Sequence, residues 1–375
     1  MISPLRTWAV MAKEFIQLTR DRLTYAMILM LPIVQLLLFG YAINDDPRNL
    51  PTAVLVQDNG GFSRAILTAL ENSGYFKVTL QARGQAELDR ALARGEVQFA
   101  VVIPADFTRR VVRGDQAQIL VEADATDPSA TGGAVAAIAN LPTQALAREL
   151  TGPLADRAPG RQPFEVVIHR RYNPEAITAY NIVPGLLGVI LSMTLVMMTS
   201  LGMARERERG TMEGLLATPV RPLEVMIGKL TPYVVVGLLQ SVVILVMARV
   251  LFQVPMVGGW LALGVGLLLF IVGSLALGFL ISTAAKTQLQ AMQMSFFYML
   301  PSILLSGFMF PFRGMPEWAQ AIGTAIPVTH FLRIVRGSLL KGAGLQDAGP
   351  SLAALTLFVL VVATLAMLRY RTTLD

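Results

Sequence analysis

The chain has 375 residues, 54% of them hydrophobic and only 15% charged, which is too apolar for an ordinary soluble protein, where charge is nearer a quarter. The absence of cysteine excludes a disulfide framework, a thiolate metal site and a cysteine nucleophile. The net charge of +6 does not point to nucleic acid, because Lys and Arg are split among clusters at the edges of apolar runs instead of being gathered on one face.

In residues 1–22, Leu5, Trp8, Met11, Ala12, Phe15 and Ile16 share one helical face, while Arg6, Lys13 and Arg20 recur seven apart on another. That pattern predicts an amphipathic helix lying in a membrane interface. A cleaved signal peptide fits poorly: the next apolar run starts only at residue 23, is about 20 residues long and lacks a small-residue cleavage pattern. Residues 23–44 read as a first transmembrane helix. From 45 to 175 the composition becomes that of a soluble domain. Strands are predicted at Thr52–Gln57, Phe76–Leu80, Val97–Ile103, Gln118–Glu122 and Phe164–Arg170, and helices at Phe62–Asn72, Gln85–Ala93 and Thr131–Leu150, hence an α/β domain. Gly60-Gly61 reads as a tight turn, since GxGxxG is absent.

Residues 176–375 hold uncharged runs at Ala176–Ala204, Leu230–Ala248, Val250–Ala285, Thr287–Phe312 and Ala348–Leu368. The run from Val250 is 36 residues long, too long for one simple crossing, and Pro255 with Gly258-Gly259 divides it near Phe252 and Trp260. The fold class is therefore a polytopic α-helical membrane protein of six transmembrane helices with an α/β domain inserted between the first and second. Counting Lys and Arg near the span ends gives twelve on the side of the N-terminus against five (Arg249, Arg313, Arg333, Arg336, Lys341) on the other. Both termini are then cytoplasmic and the α/β domain extracytoplasmic, with the cluster at 333–341 an exception to the rule.

Catalytic chemistry is hard to find. Gly228-Lys229 is not part of a Walker A loop, so any ATP must be bound by another chain. His169 and His330 lack ligand spacing, and no metal site or Ser/His/Asp set can be argued. The apolar runs carry no Asp or Glu, which argues against an ion-coupled carrier, where a carried charge needs compensation within the bilayer.

Two stretches stand out. Met203–Lys229 (MARERERGTMEGLLATPVRPLEVMIGK) carries nine charges between apolar runs and must sit in water. Arg205 can pair with Glu208, and Glu206 with Arg209, so the preceding helix is expected to leave the bilayer still wound. Arg207 lies in the same turn, and Gly210 breaks the helix. Thr211–Ala217 then reads as a short second helix capped by Thr211, with Glu213 in its first turn, Met212, Leu215 and Leu216 on one face, and Thr218-Pro219 as its stop. Two turns do not hold in water without a protein surface to lie on. The second stretch is Leu304–Gly337, where Pro311, Gly314 and Pro316 break the fifth span and 318–332 is too short to cross; a re-entrant hairpin over 306–330 is expected. A plain aromatic belt of Phe308, Phe310, Phe312 and Trp318 is the competing account.

The run ERERGTMEGLLATPV followed by GK resembles the cytoplasmic loop of ABC-2-type exporter permeases, and Ser306–Trp318 matches the SGF-x-FP-x-x-x-MP-x-W pattern that the family carries between its last two spans. The resemblance covers roughly residues 5–370 and is best to the subfamily with a large insert after the first span. It implies a membrane subunit of a bacterial inner-membrane exporter, without enzymatic activity or cofactor of its own, with ATP and Mg held by a partner ATPase subunit. A second permease chain, identical or not, completes the transporter, and a periplasmic adaptor is a further possible partner beside the lipid bilayer. Arg205, Glu206, Arg207, Glu208, Gly210, Thr211, Glu213, Leu215, Leu216, Thr218 and Pro219 would form the ATPase-coupling segment. Gly307, Phe308, Phe310, Pro311, Met315, Pro316 and Trp318 would form an outer gate. The implied substrate is apolar or amphipathic, a drug-like molecule or lipid. A membrane-anchored extracytoplasmic sensor or assembly scaffold is the alternative, and a polytopic enzyme fits less well for want of a catalytic set.

Overall fold

A computed structural model describes residues 47–146, 163–208 and 222–369. The interfacial helix and first span expected over 1–44, and the segment from Gly210 to Pro219, lie outside the described residues. The α/β domain runs β1 (Leu50–Val56), α1 (Gly61–Asn72), β2 (Phe76–Gln81), α2 (Gln85–Ala93), β3 (Phe99–Ile103), α3 (Phe107–Arg113), β4 (Ala117–Asp124), α4 (Pro128–Ala139), α5 (Leu141–Gln144) and β5 (Phe164–Arg171). The strands form one sheet in the order β2-β1-β3-β4-β5, parallel except where β3 meets β4.

That order dictates where the helices go. The β1-α1-β2 connection moves one way along the sheet and β2-α2-β3 moves back across β1, so right-handed crossovers place α1 and α2 on opposite faces. The packing follows. Leu50, Val54, Phe99, Val101, Ile119 and Val121 bury one sheet face against Ile66 and Leu70 of α1 and Phe107 and Val111 of α3, whereas Ala53, Leu55 and Ala100 bury the other against Leu88 and Leu92 of α2. Covered on both faces, β1 (LPTAVLV) and β3 (FAVVI) read as almost unbroken apolar runs.

In open sheets of this kind ligands bind beyond the strand ends where the order reverses, here past β1 and β3. The Asp58 carboxylate fills that crevice, accepting from the Ser63 and Thr108 hydroxyls and, at 3.2 Å, from the Gly60 N–H. A Cβ on Gly60 would overlap the Thr108 hydroxyl. Two details differ from the sequence reading. Helix α3 was not expected, and the single helix expected over 131–150 is interrupted at Asn140, after which Pro142 starts α5.

The remaining chain is helical: α6 (Thr178–Glu208), α7 (Pro222–Phe252), α8 (Trp260–Ala284), α9 (Gln288–Leu305), a 3-10 turn (Phe312–Gly314), α10 (Glu317–Ala325), α11 (Pro327–Arg336), which runs into a π turn (Gly337–Lys341), and α12 (Leu345–Arg369). Among the described residues four helices are long and apolar enough to cross a membrane: Thr178–Glu206, Leu230–Phe252, Trp260–Ala284 and Leu345–Arg369. Helix α9 is not among them; its 18 residues reach about 27 Å, and Gln288, Gln290 and Gln293 lower its hydropathy. It stops at Leu305, short of the Phe312 expected for this run.

Burial ranks the four. Within their most apolar windows α6 is 56% and α8 61% buried, against 17% each for α7 and α12, so the first two form the centre and the others the rim. Apolar side chains cannot drive helices together in lipid, so small residues must let backbones approach. Gly278 of α8 does this: a Cβ there would lie 2.7 Å from the Val196 carbonyl oxygen of α6 and 2.9 Å from Thr199 Cβ.

Candidate functional site

The two stretches singled out by sequence meet opposite ends of α6. Arg205, Glu206, Arg207 and Glu208 form its last turn, so the helix does continue past the apolar run. The ion pair expected between Arg205 and Glu208 does not form. Instead, both turn to Gln288 at the start of α9. Arg205 Nε donates to Gln288 Oε1 at 3.2 Å, and Glu208 accepts from the Gln288 backbone N–H at 2.8 Å and from its Nε2 at 2.6 Å. The physical reason is the helix N-terminus, whose first N–H groups have no helical acceptor and whose dipole favours a carboxylate. The side-chain and backbone donors of Gln288 hold the Glu208 carboxyl below its usual range. About two helical turns deeper, Ser200 Oγ and Ser295 Oγ lie 2.8 Å apart and tie the same two helices. Of the other coupling residues, Gly210, Thr211, Glu213, Leu215, Leu216, Thr218 and Pro219 lie outside the described residues.

Near the Thr178 end, α6 meets the break after α9. Gly307 has φ 81°, and a Cβ there would sit 3.0 Å from Phe312 Cβ, so both angle and space require glycine. The turn sends Phe308 onto α6, where a Cβ on Gly185 would meet the ring at 2.5 Å. Pro184, one residue earlier, removes a backbone donor from α6 at this level. Of the remaining gate residues, Pro311 and Met315 are buried, Phe310 and Pro316 are half-buried, and Trp318 is 45% exposed and is not gathered with the rest. The broken backbone is satisfied internally: Gln320 Nε2 donates to the Met315 carbonyl at 2.7 Å and Thr329 Oγ1 to that of Gly323 at 2.6 Å. Helix α11 seals the far side, with Phe331 stacked on Phe270 of α8 at 4.2 Å between centroids.

The segment after α11 is joined to the α/β domain. Lys341 Nζ lies 2.6 Å from Asp124 Oδ2 at the end of β4, donates to the Leu92 carbonyl at 3.2 Å and sits 5.0 Å from the centre of the Tyr172 ring. Both charged side chains are under a tenth exposed. A second, exposed pair, Arg94 with Asp347 at 3.2 Å, links the same two parts. The chain between β5 and α6 is also fixed. Tyr172 and Ala176 adopt φ of 69° and 52°, and the Asn173 side chain clasps Ile177 by accepting from its N–H at 2.9 Å and donating to its carbonyl at 3.0 Å.

Sequence reasoning did not single out Arg336 or Lys341 as site residues. Arg336 Nη1 donates to the Gly307 carbonyl at 3.0 Å, which places its guanidinium beside Phe308 and Gly185. The signal was present as the basic cluster at 333–341 that breaks the charge rule for loop orientation. Among the described residues no group of three His, Asp or Glu is placed to hold a metal ion.

Comparison with known proteins bears directly on this arrangement. The family model described as "ABC-2 family transporter protein" matches residues 22–368. The chain is 28% identical over 366 residues, 98% of each chain, to the probable multidrug ABC transporter permease YbhR of Escherichia coli K12. It is 31% identical over 91% of each chain to the probable multidrug ABC transporter permease YbhS of the same organism. To its inner membrane transport permease YhhJ it is 30% identical, over 77% of this chain and 76% of the relative.

Proposed function

We propose, starting from the fact that this chain belongs to the ABC-2 family of transporter proteins, that it is the membrane-spanning permease of an ATP-driven exporter. It would move a drug-like or lipid-like amphiphile out of the cytoplasm or inner leaflet of a bacterial inner membrane. Hydrolysis belongs to a separate ATPase subunit that holds ATP and Mg, and two permease chains complete the assembly. The topology is six spans with both termini cytoplasmic and the α/β domain outside.

The observation that carries this reading is the single helix α6. Its Glu208 end is clasped to α9 next to the loop that would seat in the ATPase, and its other end carries Gly185 against Phe308 of the gate. The stretch of this helix from Gly185 to Glu208, about 35 Å long and following Pro184, thus joins the two sequence motifs. Closure of the ATPase pulls the Thr211–Ala217 helix, α6 follows, and the packing of Phe308 on Gly185 changes. A sensor or scaffold has no use for such a connection, and the relatives' names describe permeases.

The test is Glu213→Arg in proteoliposomes holding the permease and its ATPase. Insertion and assembly are expected to be retained, with ATP-dependent export and ATPase stimulation each falling at least tenfold; wild-type values for both would refute the coupling role. Topology is checked with an impermeant maleimide on intact cells. A cysteine replacing the exposed Ala86 is expected to react, and one replacing Thr218 is not. Ser63 would be a poor probe, being fully buried against Asp58.

A further inference from the structure

Arg336 is half-buried as a residue, yet its Nε and Nη2 are sealed from solvent and have no hydrogen-bond partner among the described residues. Those two nitrogens are the side-on edge of the guanidinium, the parallel pair of N–H groups that grips a carboxylate or phosphate bidentately. The third nitrogen, Nη1, is committed to the Gly307 carbonyl and fixes the plane of the group. A buried charge left with an empty fork is costly, and such exceptions are few in folded proteins. The nearest carboxylates do not fill it. Asp124 and Asp127 act on Arg336 only through space; Asp124 is bonded to Lys341 and Thr126, and Asp127 accepts from Asn181 Nδ2 at 3.2 Å. The fork lies beside Gly185 and Phe308, where the gate residues pack against α6.

We infer that the Nε–Nη2 edge of Arg336 binds the phosphate or carboxylate of an anionic amphiphile, with Phe308 and the apolar walls of α6 and α11 receiving its hydrocarbon portion. This rests on the export reading and narrows it: the favoured cargo carries one anionic group.

The test is equilibrium binding of radiolabelled dodecyl phosphate to the full chain in dodecyl maltoside. Arg336→Gln is expected to weaken binding at least tenfold, Arg336→Lys, which keeps the charge but loses the fork, by several-fold, and Arg64→Gln on the exposed outer domain not at all. Inorganic phosphate and dodecyltrimethylammonium are expected to compete poorly. Equal binding by Arg336→Gln and wild type, or equal competition by the cationic amphiphile, overturns the inference; should Arg336→Gln fail to fold, Arg336→Lys decides it. Nanodiscs of phosphatidylglycerol against phosphatidylcholine separate the sources. Competition only by the former assigns the fork to a bilayer headgroup, and retained dodecyl phosphate binding in both assigns it to a transported molecule. Export of a neutral amphiphile is followed in parallel. If it proceeds while anion binding is independent of Arg336, only this inference fails; if the wild type exports nothing with ATP, the export reading fails and the binding result stands alone.

Discussion

The α/β domain and the helical bundle bury apolar surface by different means. In the domain, strands alternate or run apolar according to which faces are covered, and helices keep a polar side, so a residue's type announces its place. In the bundle α8 is apolar all round, and what decides its neighbours is where side chains are missing. Hydropathy therefore marks a span but not its partner. Glycine shows the contrast best, since Gly278 lets α6 and α8 touch, whereas Gly132, on the exposed side of α4, has nothing within 4 Å of where a Cβ would lie.

Substitutions sharpen this. Gly278→Leu is expected to have the largest effect, because the backbone of α6 cannot yield as a side chain can. The cost should exceed about 3 kcal/mol, seen as loss of monodisperse protein in detergent. A well-behaved variant with wild-type melting would break the account of α6–α8 packing. Next comes Lys341→Ala, which strands the buried Asp124 carboxylate and should cost about 3 kcal/mol, with faster proteolysis between domain and bundle. Arg94→Ala, removing the exposed pair, should cost less than about 1 kcal/mol in the same melt. Gly132→Ala should stabilise slightly, by about 0.5 kcal/mol, as an exposed helical glycine does.

The smallest effect concerns Asp58. Burial pushes its carboxyl up, but hydrogen bonds from Ser63, Thr108 and Gly60 outweigh that and hold it below the usual range. A folded pKa below the unfolded one gives stability that is complete above the unfolded value and lost as pH falls through the folded value. Acid melting of the wild type below about pH 4 should therefore be steeper than that of Asp58→Asn. Parallel acid curves for the two would remove Asp58 from the account.

Much of the domain was legible. The helix expected at Gln85–Ala93 is found with those bounds, and the other expected strands and helices shift by a residue or two, apart from α3 and the interruption at Asn140. Helix α3 escaped because its buried residues, Phe107 and Val111, are separated by Thr108, Arg109 and Arg110 in a segment of only seven residues. In the bundle the breaks at Phe252 and Trp260 were readable from Pro255 and Gly258-Gly259. The contacts of the gate were not. Nothing in a list of residues tells that Phe308 lands on Gly185, that Trp318 stays exposed, or that Arg336 turns its fork inward, because each depends on a pair brought together across more than a hundred residues or on a turn set by one glycine. The Arg205–Glu208 pair failed for a similar reason: spacing along one helix cannot foresee that Gln288 on another offers donors to Glu208 and an acceptor to Arg205.

The contact of Gly278 with the Val196 carbonyl has a mechanical consequence. Val196 lies eleven residues from Gly185 and twelve from Glu208, so along a helix the two arms measure about 17 and 18 Å. A tooth of this kind resists sliding but tolerates tilting, which makes it a fulcrum with nearly equal arms. An inward swing of one ångström at Glu208 would then return as an outward swing of almost the same size under Phe308, neither amplified nor lost. Such a see-saw would move the backbone under Phe308 in antiphase with the Glu208 end of the same helix.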